Sequence, residues 1–385
     1  MKSLANPPAR FCLHTLILIV CAFQTSRAFA QSFFIGGYGS GIYTSTLNAN
    51  GEMSEPRLAV KQKNPSFFAI HPKLDFLYAV TETNRKDSNS PAAITSYRFD
   101  GSQFASSKTP GLVLVNTQPI DGDDPCHVSI DPTGLFLAVA NYSSGSIVVY
   151  PIAPDGSIRP ASSLVDHTIH EPNKQQQAKA HAHCTLWMDN HFLLVTDLGM
   201  DKVFVYDLNR ETGKLSLAST MPLAKGSGPR HLSVHPSGQW VYIINERNMT
   251  LTAASWKAPQ LTELETVSTL PTDAKGTDFS TAEVLAHPSG NFVYGSNRGH
   301  NTIASFRVDS HSGKLVAIGH TSSNGKTPRN FRFTPKGDFL LAENQQSDSI
   351  HSFRINEKTG ELTSTGYSVK APAPACIKFI ERSTQ

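Results

Sequence analysis

Imidazole, guanidinium and carboxylate side chains recur in this 385-residue chain at one place in a repeating pattern. His127, His183 and His231 stand near the start of similar alternating segments, with Glu283 and Asn330 in the same place in two others. Arg230 and Arg329 stand one residue earlier. A second set, Glu82, Tyr142, Glu246 and Arg298, closes the segments that follow. An imidazole titrates near working pH and can take a proton from water. A guanidinium offers a fixed fork of donors to a carbonyl oxygen or an anionic substituent. A carboxylate among guanidinium groups stays ionised and orients them. No G-x-S-x-G stretch is present, so a serine nucleophile is unsupported.

The elements that must position these groups come from an internal repeat. Residues 229–246 read PRHLSVHPSGQWVYIINE, and the pattern returns at 65–82 and 125–142, with further copies beginning at Ala182, Thr281 and Pro328. The spacing, roughly 45–60 residues, suits blades of four strands. In each copy an alternating strand ends in His-Pro or Asp-Pro with a following Gly, a turn signal. A β-rich strand, a third strand such as 202–206, and a G-x-L element opening a fourth complete the unit. The seventh inner strand, 374–380, has no blade after it, so its partners must be 32–37 and 42–47. The expected fold is all-β: a seven-bladed β-propeller over residues 31–385, its ring closed by a blade shared between N- and C-terminal strands.

Aligning the blades gives columns. The third residue of the inner strand reads Phe67, His127, His183, His231, Glu283, Asn330, Cys376; the residue before it reads Ser66, Cys126, Ala182, Arg230, Ala282, Arg329, Ala375. The second strand ends Thr81, Asn141, Asp197, Asn245, Asn297, Asn344, followed by Glu82, Tyr142, Leu198, Glu246, Arg298, Gln345. The start of one antiparallel strand and the end of the next share one end of the sheet, so these columns ring one mouth of the axis. Structural readings compete. Asn before a tight turn bonds local backbone, Arg329 and Glu82 suit a solvated rim, and His71, His235 and His287 belong to the far turns. His181 and His183 form an H-x-H that also suits a metal, but no third ligand is evident and no metal or other cofactor is expected.

Lys2 and Arg10 flank the start of an apolar run over 11–23, and A-x-A stands at 28–30. This predicts a signal peptide over residues 1–30 and a secreted or periplasmic protein, against an uncleaved anchor. Cleavage would remove three of the 34 basic residues and none of the 31 acidic ones, leaving a formally neutral chain. Neutrality argues against nucleic-acid or anionic-membrane partners, and a monomer is expected. Cys126, Cys184 and Cys376 would remain. One disulfide is possible, but small buried thiols are the favoured reading.

Residues 226–238 with 241–246, 180–184 with 195–203, and 282–283 with 294–300 and 326–330 resemble the 6-phosphogluconolactonase family of the propeller type, whose sister is the carboxymuconate cyclase family. The resemblance runs from about Phe33 to Phe379 and implies a lactone hydrolase acting on a small-molecule sugar lactone, phosphorylated or not. A carboxymuconate-type cyclase or lyase and a non-catalytic ligand-binding propeller are the alternatives. Carried over, the family's catalytic set falls on His183, Arg230, Glu246 and Arg298. His183 would be the base that activates water, the arginines would hold the carbonyl oxygen or an anionic group, and Glu246 would orient them. His181, His231, Asn245, Glu283 and Arg329 form a second, substrate-binding tier.

Overall fold

Short runs rich in Val, Ile, Phe and Tyr, separated by Gly-, Asn- and Asp-bearing turns, fold into seven four-stranded antiparallel sheets arranged as a seven-bladed β-propeller. The computed structural model describes residues 31–100, 111–170 and 179–380, besides Met1. The expected signal peptide therefore lies outside the described residues. We number the blades 1 to 6 by their inner strands, Phe68–Ile70, Pro125–Ile130, Ala182–Met188, Pro229–Val234, Ser280–Ala286 and Pro328–Phe333. Blade 7 is the shared one. Its inner strand Pro374–Phe379 pairs antiparallel with Gln31–Gly37, then Gly41–Leu47 and Arg57–Lys61 complete the sheet.

The second strand of a blade is covered on both faces by its neighbours. Phe136–Asn141, Trp240–Asn245 and Phe339–Asn344 are accordingly buried at every residue, which is why they read as continuous rather than alternating apolar runs. The His-Pro turns join the blades. The backbone N–H groups of Lys73, Ser237 and Ser289 donate to Nδ1 of His71, His235 and His287, leaving Nε2–H as donor on each ring. Those protons reach the next blade at Gly134 O (3.0 Å), Gly290 O (2.8 Å) and Gly337 O (2.8 Å). The three glycines have φ of +81°, +76° and +75°, and a Cβ on Gly134 would lie 2.4 Å from the His71 ring, so no other residue fits there. Tyr78, Tyr242 and Tyr294 make parallel bonds to Gly156 O, Gly313 O and Gly360 O. Each such bond contributes about 1 kcal/mol. The turn histidines are structural, as expected, and the three cysteines among the described residues, Cys126, Cys184 and Cys376, are free and buried.

Glu343 breaks the pattern of blade 6. Its side chain is fully buried in the second strand, and neither carboxyl oxygen has a hydrogen-bond partner. Burial, reinforced by Glu283, pushes its pKa well above the ordinary 4.5. The unfolded chain releases this proton at lower pH than the folded one, so folding loses stability as pH rises from 4.5 through the folded value. Glu343→Gln lacks that loss. The melting-temperature difference between variant and parent is expected to grow from pH 5 to pH 8, and a difference independent of pH counts against it.

Candidate active site

Each functional inner strand carries a bulge one residue after its start. The register slips between Pro125 and His127, Ala182 and Cys184, Pro229 and His231, Thr281 and Val284, and Pro328 and Asn330. A bulge leaves its extra residue outside the ladder and re-aims its side chain. The pairing corrects one column. Ala182 opposes Asp197 as Pro229 opposes Asn245, so His183 is the counterpart of Arg230 and Arg329, and Cys184 that of His231. His183, Arg230 and Arg329 therefore share one layer around the axis.

Glu246 organises the mouth. Its Oε2 lies 3.1 Å from Arg230 Nε and 2.9 Å from Arg298 Nη2. Both guanidinium groups also lean on one dipeptide of blade 5, Arg230 Nη1–H donating to Ala282 O (2.7 Å) and Arg298 Nη2–H to Thr281 O (2.9 Å). Arg230 is 3% exposed and Arg298 14%, while Glu246 keeps 23%, so the array meets solvent through its carboxylate side. His183 is buried, 5.2 Å from the His231 ring and 5.6 Å from Tyr142, and its Nδ1 has no partner among the described residues. Burial first, then Arg230, His231, Arg329 and His127, hold its pKa well below 6.5. A neutral imidazole beside a guanidinium pair can accept a proton from water while the arginines face a developing oxyanion.

The second tier separates on inspection. His181 walls the mouth: its ring stacks on Tyr142 at 4.4 Å, and Nδ1–H donates to Tyr142 O (2.9 Å). The described residues hold no cluster of three or more His, Cys, Asp or Glu able to bind a metal. Asn245 is a correction. It is fully buried, and its amide donates to Thr250 Oγ1 (2.9 Å) and Thr252 Oγ1 (3.0 Å), so it braces the blade and cannot touch substrate. Glu283 is another. It lies a layer below, accepting hydrogen bonds from His231 Nδ1–H (2.9 Å) and Val284 N–H, and it faces the axial space behind the mouth. His231 stands between the two spaces.

Arg329 and Glu82 are not solvated rim charges. Arg329 Nη2–H donates to Tyr38 OH (2.6 Å), Tyr38 OH donates to Glu82 Oε1 (2.9 Å), and Ser66 Oγ–H donates to Glu82 Oε2. The Arg329 guanidinium also lies 4.8 Å over the Tyr38 ring. Tyr38 was missed in the sequence, yet a signal existed. Gly37 pairs with Pro374 as Asn245 pairs with Pro229, so Tyr38 fills the Glu246 column of blade 7. The space enclosed by Tyr38, Ser66, Arg230 and Arg329 is about 10 Å³.

Residues 32–379 match the family model described as lactonase, 7-bladed beta-propeller. The chain is 34% identical over 352 residues to a 6-phosphogluconolactonase of Bacillus subtilis, covering 90% of this chain and 96% of that one. It is 31% identical to a 6-phosphogluconolactonase of Formosa agariphila over 78% of this chain and 86% of that one. The solved structure of a periplasmic gluconolactonase from Pseudomonas aeruginosa superposes with a TM-score of 0.83 at 28% identity, over 91% of this chain and 99% of that one. With a matched family model, six blades built alike and a seventh shared between the chain's two ends, the chain belongs to the seven-bladed β-propeller lactonases, carboxylic-ester hydrolases of small lactones.

Proposed function

We propose that the protein opens a neutral sugar δ-lactone, an unphosphorylated gluconolactone in preference to 6-phosphogluconolactone, after export from the cytosol. The carrying observation is the bridge of Glu246 between Arg230 and Arg298. One carboxylate already offsets one of the two guanidinium charges, and Arg329 is engaged by Tyr38 beside Glu82. Little surplus positive charge is left for a phosphate, while the N–H donors can still face a carbonyl oxygen. The Pseudomonas relative, a periplasmic gluconolactonase, and the signal-like residues 1–30 support the same reading.

In the proposed reaction His183 takes a proton from water as the oxygen attacks the lactone carbonyl. Arg230 and Arg298 hold the tetrahedral oxyanion. Collapse breaks the ring C–O bond, the imidazolium returns its proton to the leaving alkoxide, and a hydroxy acid departs. Glu246 keeps the two guanidinium groups in place throughout. The purified protein assayed on phosphorylated and unphosphorylated δ-lactones tests the substrate: faster turnover of the phosphorylated compound would reverse the preference. Arg298→Lys probes the same point. Lysine cannot reproduce the fork, so with a neutral lactone the change acts mainly on kcat. A steep rise in KM at unchanged kcat favours an anionic substrate instead.

A further inference from the structure

Behind the mouth the axis is closed by rings and then opens again. The Phe67 ring lies 4.1 Å from His127 and 5.9 Å from His231, and those two imidazoles are 5.3 Å apart. Beyond this floor a cavity of about 800 Å³ runs to the His-Pro turns at the opposite end. Its size follows from one register position. Ala69, Ser129 and Ser233 occupy the place of Arg332 and Lys378 in three of the other inner strands and Leu186 and Leu285 in the remaining two, so three small side chains share the ring with two aliphatic and two long cationic ones.

Neither cation has a carboxylate within ion-pair distance among the described residues. Lys378 Nζ rests 4.9 Å from the centre of the Phe67 ring. Glu283, which also lines the cavity, is held by His231 and by Val284 N–H. Both cations are half-buried and share the cavity with the Glu283 carboxylate, and an anion seated between them would supply the close partner that each lacks. Burial, then Arg332, lower the Lys378 pKa, while Cys376, Glu283 and Glu343 act the other way. The rest of the lining is largely apolar, Ile70, Val128, Ile130, Leu186, Leu285 and Phe333 among it, with a few polar groups between them. The Ser233 hydroxyl accepts from Ala286 N–H and keeps its own proton to donate, Asn330 adds an amide, and Trp187 offers an indole.

We propose that this axial cavity is a second binding site, for a small polyhydroxylated carboxylate whose carboxylate lies between Lys378 and Arg332. Ser233 and Asn330 take hydroxyl groups, and Trp187 covers a C–H face. This is the chemistry of the hydroxy acid released by lactone opening, an identification that rests on the function proposed above. Because His231 and Phe67 line both spaces, an occupant would touch the floor of the catalytic mouth without entering it.

The test is calorimetric titration of the intact protein with D-gluconate, D-glucose and inorganic phosphate. The same titrations are run on Arg230→Gln, which disables the mouth. Gluconate is expected to bind Arg230→Gln at one site, with glucose and phosphate much weaker. Adding Lys378→Met or Arg332→Gln is expected to weaken gluconate about tenfold or more, the scale of a lost charge-assisted bond. The two single variants keep lactone kcat within about twofold, and having both guards against one of them failing to fold. Binding lost with Arg230→Gln alone, binding unaffected by both cation changes, or phosphate as tight as gluconate each overturns the proposal. Absence of lactone turnover by the parent protein would sink the function proposed above but would leave the gluconate titrations readable.

Discussion

Replacing His183 with alanine is expected to lower kcat by about two to four orders of magnitude, the range for loss of a general base. The ring packs beside His231 and Tyr142, so alanine also leaves a void and costs some stability. His183→Gln fills much of that space and should match the alanine variant in turnover while melting closer to the parent. Equal kcat for parent and either variant at saturating substrate removes His183 from the base role. The pH profile carries a second signature. Since burial and Arg230 hold the imidazole well below 6.5, activity should stay level from pH 8 to 6.5 and fall only at more acid values. Stability follows the same groups. His127, His183 and His231 all have lowered pKa values, burial being the main cause, so the unfolded chain binds more protons below pH 6.5. Their contribution to stability is full above pH 6.5 and is lost as pH falls towards the folded values.

Deleting residues 374–385 is expected to abolish recovery of soluble protein. The cut removes the inner strand of blade 7 and with it the buried Cys376, Ile377 and Phe379. It strips Gln31–Gly37 of one partner strand and uncovers the neighbouring inner strands Pro328–Phe333 and Phe68–Ile70. Exposed edges beside a torn apolar layer invite pairing between molecules. Size-exclusion chromatography and thermal melting of the truncated chain decide the matter. A soluble monomer with the parent's melting temperature would show that the shared blade is dispensable.

The blades were legible because each repeat restates its turn and strand signals, and the closing blade followed from counting strands. Register at His183 was not. Every other functional inner strand opens at a proline or a threonine that marks its start, whereas AHAHC offers two equivalent histidines, and only the pairing of Ala182 with Asp197 chooses between them. Asn245 and Glu82 were misread for a different reason. Their columns were identified correctly, but whether a mouth residue faces solvent or a hydroxyl depends on neighbours outside its own motif, such as Thr252 on the next strand of the same blade or Tyr38 just after the first strand of blade 7. The axial cavity was illegible for the same cause. It arises from the sum of seven side-chain lengths around a ring, which no single repeat contains.

The bulges give the mouth an unusual freedom. An ordinary strand residue is committed twice, to its ladder partner and to the face it fills. At positions 126, 183, 230 and 329 the first commitment is lifted, since the opposing strand pairs the residues on either side. Cysteine, histidine and arginine occupy these equivalent places in one chain, which shows that the frame accepts side chains of very different volume and charge there. Substrate preference can thus drift, in evolution or in a directed library, through single codon changes at these sites while the turns and inter-blade bonds that hold the ring stay untouched.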